Sequence, residues 1–234
     1  MELSKRLYAV ARLVTPGGRL ADIGTDHAYV PIYLAQTGSI SGAVAMDVNR
    51  GPLLRAQEHI CENGLESCIA VRLSDGLQKL EAGEADTVLI AGMGGALTIR
   101  ILEAGSHVLP SVKELILQPQ SEIFKVREWL EAYGYIITEE DMVCEDGKYY
   151  QMMRAVAGKT AVPMDEVQLW YGPCLLDESH PVLKEYLTWE RTVKQGILQQ
   201  LEQAKGEQAM ERRQEVYHAL ERNREALKRI EQKN

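Results

Sequence analysis

Five short apolar runs, at 19–23, 42–48, 68–74, 85–92 and 113–119, constrain this chain more than any other feature. Each is closed by a polar or glycine-rich loop, and helical patterns at 28–37, 51–63, 95–105 and 121–133 separate most of them. Strands that alternate with helices predict a mostly parallel sheet covered on both faces. A helix over 2–14 comes first, with Leu3, Leu7, Val10 and Val14 as its apolar stripe. It ends in the turn Thr15-Pro16-Gly17-Gly18. Two further strands, near 135–143 and 149–156, flank Glu145-Asp146-Gly147-Lys148. A hairpin makes antiparallel neighbours, so the sheet is expected to end in a reversed edge strand.

The composition shifts near Ala161-Val162-Pro163, which divides a 1–160 domain from a 161–234 appendage. The segment WYGPCLLDESHP (170–181), with two prolines, reads as a loop or a short irregular stretch. Beyond it Leu183, Leu187, Val193, Ile197, Leu198 and Leu201 recur near helical spacing. After a break at Lys205-Gly206-Glu207, Val216, Leu220, Leu227 and Ile230 do the same, with Asn223 in one seam position. Spacings of three and four predict an antiparallel coiled-coil hairpin.

Charged residues at 26% and hydrophobic ones at 45% exclude wholesale disorder. No window holds 18 uncharged apolar residues, so no membrane-spanning helix is expected. Charges run through MELSKRLYAVARLV, which reads as an amphipathic helix and not a signal peptide. Cys61, Cys68, Cys144 and Cys174 form no C-x-x-C pair, and no Cys/His cluster has zinc spacing. Reduced thiols, a cytoplasmic location and no metal are the expectations. A net charge of −8 argues against a nonspecific nucleic-acid binder but leaves room for a local basic face. Residues 160–234 hold 11 basic and 13 acidic side chains, so the appendage is not a basic arm.

The loops after the strands carry the chemistry, because ligands bind where the carboxyl ends of parallel strands converge. The first strand ends in Asp22-Ile23-Gly24, as a dinucleotide-binding turn would, but Thr25, Asp26, His27, Ala28 and Tyr29 stand where two more glycines are usual. An acidic side chain at 26 repels a pyrophosphate and favours an ammonium or a sulfonium; the alternative is a cap on the helix at 28–37. Asp47, closing the second strand, suits paired ribose hydroxyls, with Asn49 beside it; otherwise it caps the helix from 51. Asp75 and Gly76, after the third strand, suit an adenine amino group and its ring, or simply a turn. The glycines of IAGMGG (90–95) permit close approach to the backbone, and Met93 lines the cofactor side or the core. The Asp/Asn-Pro-Pro-aromatic motif of many amino-methyltransferases is absent from this loop. That leaves a ring nitrogen, an oxygen or a small molecule as acceptor. Gln118 and Gln120 lie near the same rim or serve as turn residues. The expected fold is α/β: a class I methyltransferase, Rossmann-like doubly wound sheet with an antiparallel edge strand, plus the C-terminal helical hairpin.

The segments LSKRL, ADIGTDHAYVPIYL, AMDVNRGPL, LSDGL, IAGMGG and LQPQ, in this order through about 1–156, closely resemble the TrmK family of bacterial tRNA (adenine-22-N1)-methyltransferases. The resemblance implies S-adenosylmethionine as donor and a D-loop adenine of tRNA as acceptor. It implies a cofactor pocket of Gly24, Asp26, His27, Asp47, Asp75, Gly76 and Gly92, and an active-site rim with Asp26 and Tyr29. Asp22, Thr25, Val48 and Met93 complete the expected cofactor set. Asp26 and Tyr29 are the catalytic candidates, and His27 is a pocket wall or a weak base. The expected alternative is a class I methyltransferase acting on a small molecule or another RNA site.

A tRNA substrate needs basic side chains to grip it. Lys5, Arg6, Arg12, Arg100, Lys125 and Arg127 are candidates in the first domain. Lys184, Arg191, Lys194, Arg212, Arg213, Arg222 and Arg224 are candidates on the hairpin. Lys5, Arg6, Arg12, Arg212 and Arg213 form the expected RNA-binding set. The alternative for the hairpin is a solvated face or a dimer contact.

Overall fold

The computed structural model describes residues 2–202 and 206–233. The chain divides into two compact units, Met1–Ala161 and Val162–Asn234. In the first, the strands are β1 (Arg19–Ile23), β2 (Gly42–Asp47), β3 (Ile69–Leu73), β4 (Thr87–Met93), β5 (Glu114–Pro119), β6 (Tyr135–Glu145) and β7 (Lys148–Ala157). They form one sheet in the order β3-β2-β1-β4-β5-β7-β6. The first five are parallel, and β7 runs antiparallel to both β5 and β6. The reversed edge follows from the hairpin turn. Glu145 pairs with Lys148, and Asp146 (φ 50°) and Gly147 (φ 71°) both adopt the left-handed conformation of a two-residue turn.

The central strands are buried on both faces, which explains their unbroken apolar runs. Side chains alternate between two cores. Ala21, Ile23, Val88, Ile90, Leu115 and Leu117 face α4 (Gly95–Ala104) and α5 (Ile123–Ala132). Leu20, Ala43, Ala45, Leu89 and Ile116 face α1 (Lys5–Arg12), α2 (Tyr29–Gln36) and α3 (Arg50–Glu62). Helix α1 is shorter than the apolar stripe suggested. Ser4 caps it, its Oγ accepting from Leu7 N at 3.3 Å, and Leu13 closes it. Glu114, buried on β5, accepts from Thr15 N, Thr15 Oγ1 and Thr87 Oγ1 at 2.9, 2.6 and 2.8 Å, fixing the chain where it leaves α1.

Arg127 does not face solvent, contrary to its place among the RNA-gripping candidates. Its side chain is 0% exposed, and its guanidinium donates to Glu140 Oε1 (2.8 and 3.0 Å) and Gln151 Oε1 (2.7 Å). An arginine on a helix reads as surface until β6 and β7 supply its partners. The charge is paired and hydrogen-bonded, as burial requires.

In the second unit, 170–181 is not an irregular loop. Helices α6 (Glu166–Tyr171) and α7 (Pro173–Asp177) occupy it, ahead of α8 (Pro181–Glu202) and α9 (Glu207–Gln232). Asp165 and Gln168 form a reciprocal capping box that starts α6. Gly172 (φ 95°) ends α6, and Pro173 opens α7, where its missing N–H costs nothing. Helices α8 and α9 pack as a hairpin around Glu190. This buried carboxylate accepts from Tyr171 Oη (2.8 Å), Tyr186 Oη (3.1 Å) and Asn223 Nδ2 (2.9 Å), and pairs with Lys194 (2.7 Å). Asn223, in the expected seam position, also donates to Leu187 O at 2.9 Å. One polar seam residue of this kind fixes register. Of the expected break, Gly206 precedes α9 with φ 118°, and Lys205 lies outside the described residues.

Arg127→Ala leaves Glu140 charged and buried without its main partner. It is expected to lower the stability of the first unit by about 3–5 kcal/mol. The urea midpoint, followed by the fluorescence of Trp129 on the same helix, measures the loss.

Candidate active site

The carboxyl ends of β1 and β4 open on a cavity of about 330 Å³. Its lining includes Arg6, Asp22, Gly24, Thr25, Asp26, His27, Tyr29, Gly92 and Gln120. A larger open groove of about 550 Å³ beside β3 is lined mainly by Leu53, Leu54, Ile60, Val71 and Leu73, with Arg50 and Glu66 its charged groups. The chemistry is therefore concentrated in the smaller space.

The β1 turn hangs from the end of β2: Gly24 N and Thr25 N both donate to Met46 O, at 2.8 and 3.0 Å. Gly24 has φ 73°, and a Cβ there would lie 2.2 Å from Met93 Cε. Glycine meets both without strain, adopting the positive φ freely and leaving Met93 in place. Asp26 (φ 49°) and Ala28 (φ 56°) are also left-handed, a conformation costly for Ala. Strain of this kind concentrates at functional sites. Helix α2 starts at Tyr29 without a side-chain cap, so Asp26 is not the cap. Its carboxylate instead takes a 2.7 Å hydrogen bond from Arg55 Nη2 on α3, and lies 3.5 Å from His27 Nε2. The rings of His27, Tyr29 and His59 lie nearly parallel, with centroids 5.0–5.5 Å apart. His59 Nδ1 is 3.2 Å from His27 O. Arg55 and His59, one helical turn apart on α3, thus hold the loop from behind.

Asp22 is the most perturbed acid of the cavity. Burial pushes its carboxyl up to about 6, against a 2.6 Å hydrogen bond from Thr25 Oγ1, which lowers it; the charge of Asp47 raises it further. Asp47 closes β2, and its Oδ1 accepts from Asn49 N at 2.9 Å. This local turn stands in place of the alternative reading of Asp47 as a cap: α3 begins at Arg50 without a side-chain cap bond. Ser74 N donates to Asp47 O at 2.9 Å, so the Asp75-Gly76 loop sits at the next strand end. Asp75 is exposed, and Gly76 (φ 55°) packs on Ile101. Val48 is 58% exposed and lines no part of the cavity.

The β4 loop forms the opposite wall. A register shift between Ala91 and Met93 leaves Gly92 at φ 82°. Gly92 N donates to Gln118 Oε1 (3.1 Å), and Arg6 Nη1 donates to the same oxygen (2.9 Å). Arg6 also lies 5.5 Å from the centre of the Tyr150 ring. It stands on the cavity wall, whereas Lys5 and Arg12 are exposed. On α9, Arg212 pairs with Glu215 (2.6 Å), and Arg213 Nε donates to Ala209 O (3.3 Å). The structure gathers Asp22, Gly24, Thr25, Asp26, His27, Tyr29 and Gly92 into one space, with Met93 against Gly24. Arg55, His59 and the Arg6–Gln118 bond were not foreseen. The spacing of four between Arg55 and His59 was the available signal for the first two. Among the described residues, no group of three or more His, Cys, Asp or Glu side chains is placed to hold a metal. No helix among them is long and apolar enough to cross a membrane.

Comparison with known proteins adds to this geometry. The family model TrmK, tRNA (adenine(22)-N(1))-methyltransferase, matches residues 20–225. The chain is 41% identical over 208 residues to the tRNA (adenine(22)-N(1))-methyltransferase of Bacillus subtilis (strain 168), spanning 87% of each chain. It is similar to the crystal structure of the B. subtilis m1A22 tRNA methyltransferase TrmK (38% identity, TM-score 0.86, 97% of this chain and 99% of that one). It is likewise similar to M. capricolum TrmK in complex with S-adenosyl-homocysteine (28% identity, TM-score 0.85, 98% and 100%).

The raised Asp22 carboxyl gives a pH signature. The folded state holds this proton more tightly than the unfolded chain, whose value is near 3.8. The stabilising contribution is thus fully present below pH 4 and is lost as pH rises through about 6. Asp22→Asn should remove that loss, worth about 3 kcal/mol. Urea unfolding of both proteins at pH 4, 5, 6 and 7 checks it: the variant gains on the wild type as pH rises.

Proposed function

Because the chain belongs to the TrmK family of tRNA (adenine(22)-N(1))-methyltransferases, we infer that the cavity between β1 and β4 carries its methyl transfer to N1 of adenine 22 in the tRNA D-loop. The observation that carries this reading is the acidic turn: Asp22 and Asp26 both line the cavity, and Asp26 stands where a dinucleotide site would place its second glycine. S-adenosylmethionine, when bound, supplies a methyl group on a sulfonium, together with an ammonium, a carboxylate and a ribosyl adenine.

The residues present fit that donor. Asp22, raised by burial, is the anion an ammonium needs, and a cation beside it restores its charge. Arg6 is the cation a carboxylate needs. Asp47 keeps an oxygen with no hydrogen bond among the described residues, available to ribose hydroxyls. Asp75 and Gly76 follow at the next strand end for the adenine. Gly24 and Gly92 keep the floor free of side chains, with Met93 packed over Gly24.

Adenine N1 offers a lone pair and needs no prior deprotonation, so a general base is not required. It lies on the pairing edge, and the base must be unpaired or flipped out to reach the cavity. Tyr29, 37% exposed and with its ring nearly parallel to those of His27 and His59, is the ring that bounds the flipped base. Asp26 compensates the positive charge that appears on the acceptor ring. Arg55 holds its carboxylate in place. With donor and base seated, the cleft fixes the approach of the acceptor and the base displaces water, where much of the rate enhancement arises. The body of the tRNA is gripped by Lys5 and Arg12 on the first unit and by Arg212 and Arg213 on the hairpin. A cytoplasmic location follows from that substrate.

With purified protein, a radiolabelled methyl donor and unmodified bulk tRNA, the labelled nucleoside is expected to be 1-methyladenosine. Asp26→Ala lowers transfer by roughly 100-fold or more while the fold and donor binding persist. Donor binding without label in any tRNA assigns the cavity to another acceptor. Arg212→Glu with Arg213→Glu weakens tRNA affinity about tenfold or more at unchanged donor affinity; equal tRNA affinity removes the hairpin from the interface.

A further inference from the structure

The chemistry of the acceptor restricts how an adenine can be recognised in this cavity. N1 must face the methyl donor, so the pairing edge is committed to the reaction. The base can then be read only on its faces, at N3, or along the edge that carries N7 and the N6 amino group. That edge presents one acceptor beside one donor, and a planar carboxamide complements it with two hydrogen bonds.

Gln120 is the one carboxamide among the residues lining the cavity. Its backbone is fixed, because Gln120 N donates to Met93 O at 2.8 Å. Its side chain is exposed to the cavity, and its amide makes no hydrogen bond among the described residues. It converges with Arg6 on the bare backbone of Gly92: Gln120 Nε2 and Arg6 Nη1 each lie 3.9 Å from the point a Cβ would occupy there. The other polar groups of this wall are committed. Gln118 Oε1 already accepts from both Gly92 N and Arg6. Arg6 has donors alone. Gln120 is therefore the side chain of this wall that still offers an acceptor and a donor together.

We propose that Gln120 reads the N7/N6 edge of the acceptor base, accepting from the N6 amino group and donating to N7, and so selects adenine over guanine. Guanine puts an O6 acceptor where adenine has its N6 donor, which leaves the Gln120 carbonyl facing another acceptor. This proposal rests on the reading of the cavity as the adenine-methylating site.

The test uses synthetic tRNA with adenine, 7-deazaadenine (N7 replaced by C–H) or purine (no N6 amino group) at position 22. The full-length wild type, Gln120→Ala and Gln120→Glu are assayed with labelled donor for kcat/KM. In the wild type each analogue is expected to lower kcat/KM about tenfold relative to adenine. Gln120→Ala shrinks each penalty severalfold; what remains is the analogue's own effect on N1 nucleophilicity, common to all three proteins. Gln120→Glu keeps an acceptor and loses the donor, so it retains the purine penalty and loses the 7-deaza penalty. Equal analogue penalties in the wild type and Gln120→Ala overturn the proposal while leaving the function intact. A wild type that fails to methylate tRNA with adenine at position 22 overturns the reading of function, and this proposal with it.

Discussion

The reversal of strand order between β1 and β4 is the constraint on which the rest depends. The chain lays β1, β2 and β3 outward in one direction, then returns to place β4 and β5 on the other side of β1. Loops leaving adjacent strands β1 and β4 must therefore turn to opposite faces, α2 and α3 on one and α4 on the other. A crevice opens between them at the carboxyl edge. Gly24 and Gly92, both left-handed, border that crevice from its two sides. Neither loop could be built from residues with ordinary backbone preferences and still leave the floor open.

Charge in the crevice follows from the same geometry. Two acids, Asp22 and Asp47, end neighbouring strands and are both buried. Proximity and desolvation together disfavour full ionisation, which is why Asp22 is pushed up. A cationic ligand removes that penalty on binding, whereas a pyrophosphate would deepen it. The electrostatics of the bare protein thus already discriminate between classes of cofactor. Asp26 differs: its side chain is 56% exposed and is paired with Arg55 at the mouth of the cavity.

What the sequence revealed and what it hid divide along one line, the distance in the chain over which the decisive contacts act. The parallel strands were legible to within about two residues, because double-sided burial writes itself as continuous apolar runs. The strand-end residues Asp22, Gly24, Asp26 and Gly92 were legible as cavity residues, because their placement follows from local turn geometry. Arg127 was misread, since its burial depends on Glu140 and Gln151 in a later hairpin. The cavity-wall place of Arg6, read from sequence as an RNA-gripping side chain, and the contact of Arg55 were hidden for the same reason: their partners lie 112 and 29 residues away. The segment at 170–181 was a different failure. Its two prolines were read as marks of a loop, when Gly172 ends one helix and Pro173 and Pro181 each open another.

The docking of α1 on the β6–β7 hairpin orders events during synthesis. Lys5 N donates to Glu145 Oε1, 140 residues further on, and Arg6 rests over Tyr150 of β7. Strand β7 lies between β5 and β6, so β5 has an unpaired edge until residue 157 has been made. As the chain leaves the ribosome, β1 to β4 can assemble their loops early, from contacts made along the way. Arg6 can meet Gln118 once β5 is in place, but α1 gains Glu145 and Tyr150 only when the hairpin arrives. Every residue that lines the cavity lies at or before Gln120, so a chain cut short before β7 has made the whole lining yet lacks the contacts that anchor its first helix. The long-range contacts that steady the site are the last to form.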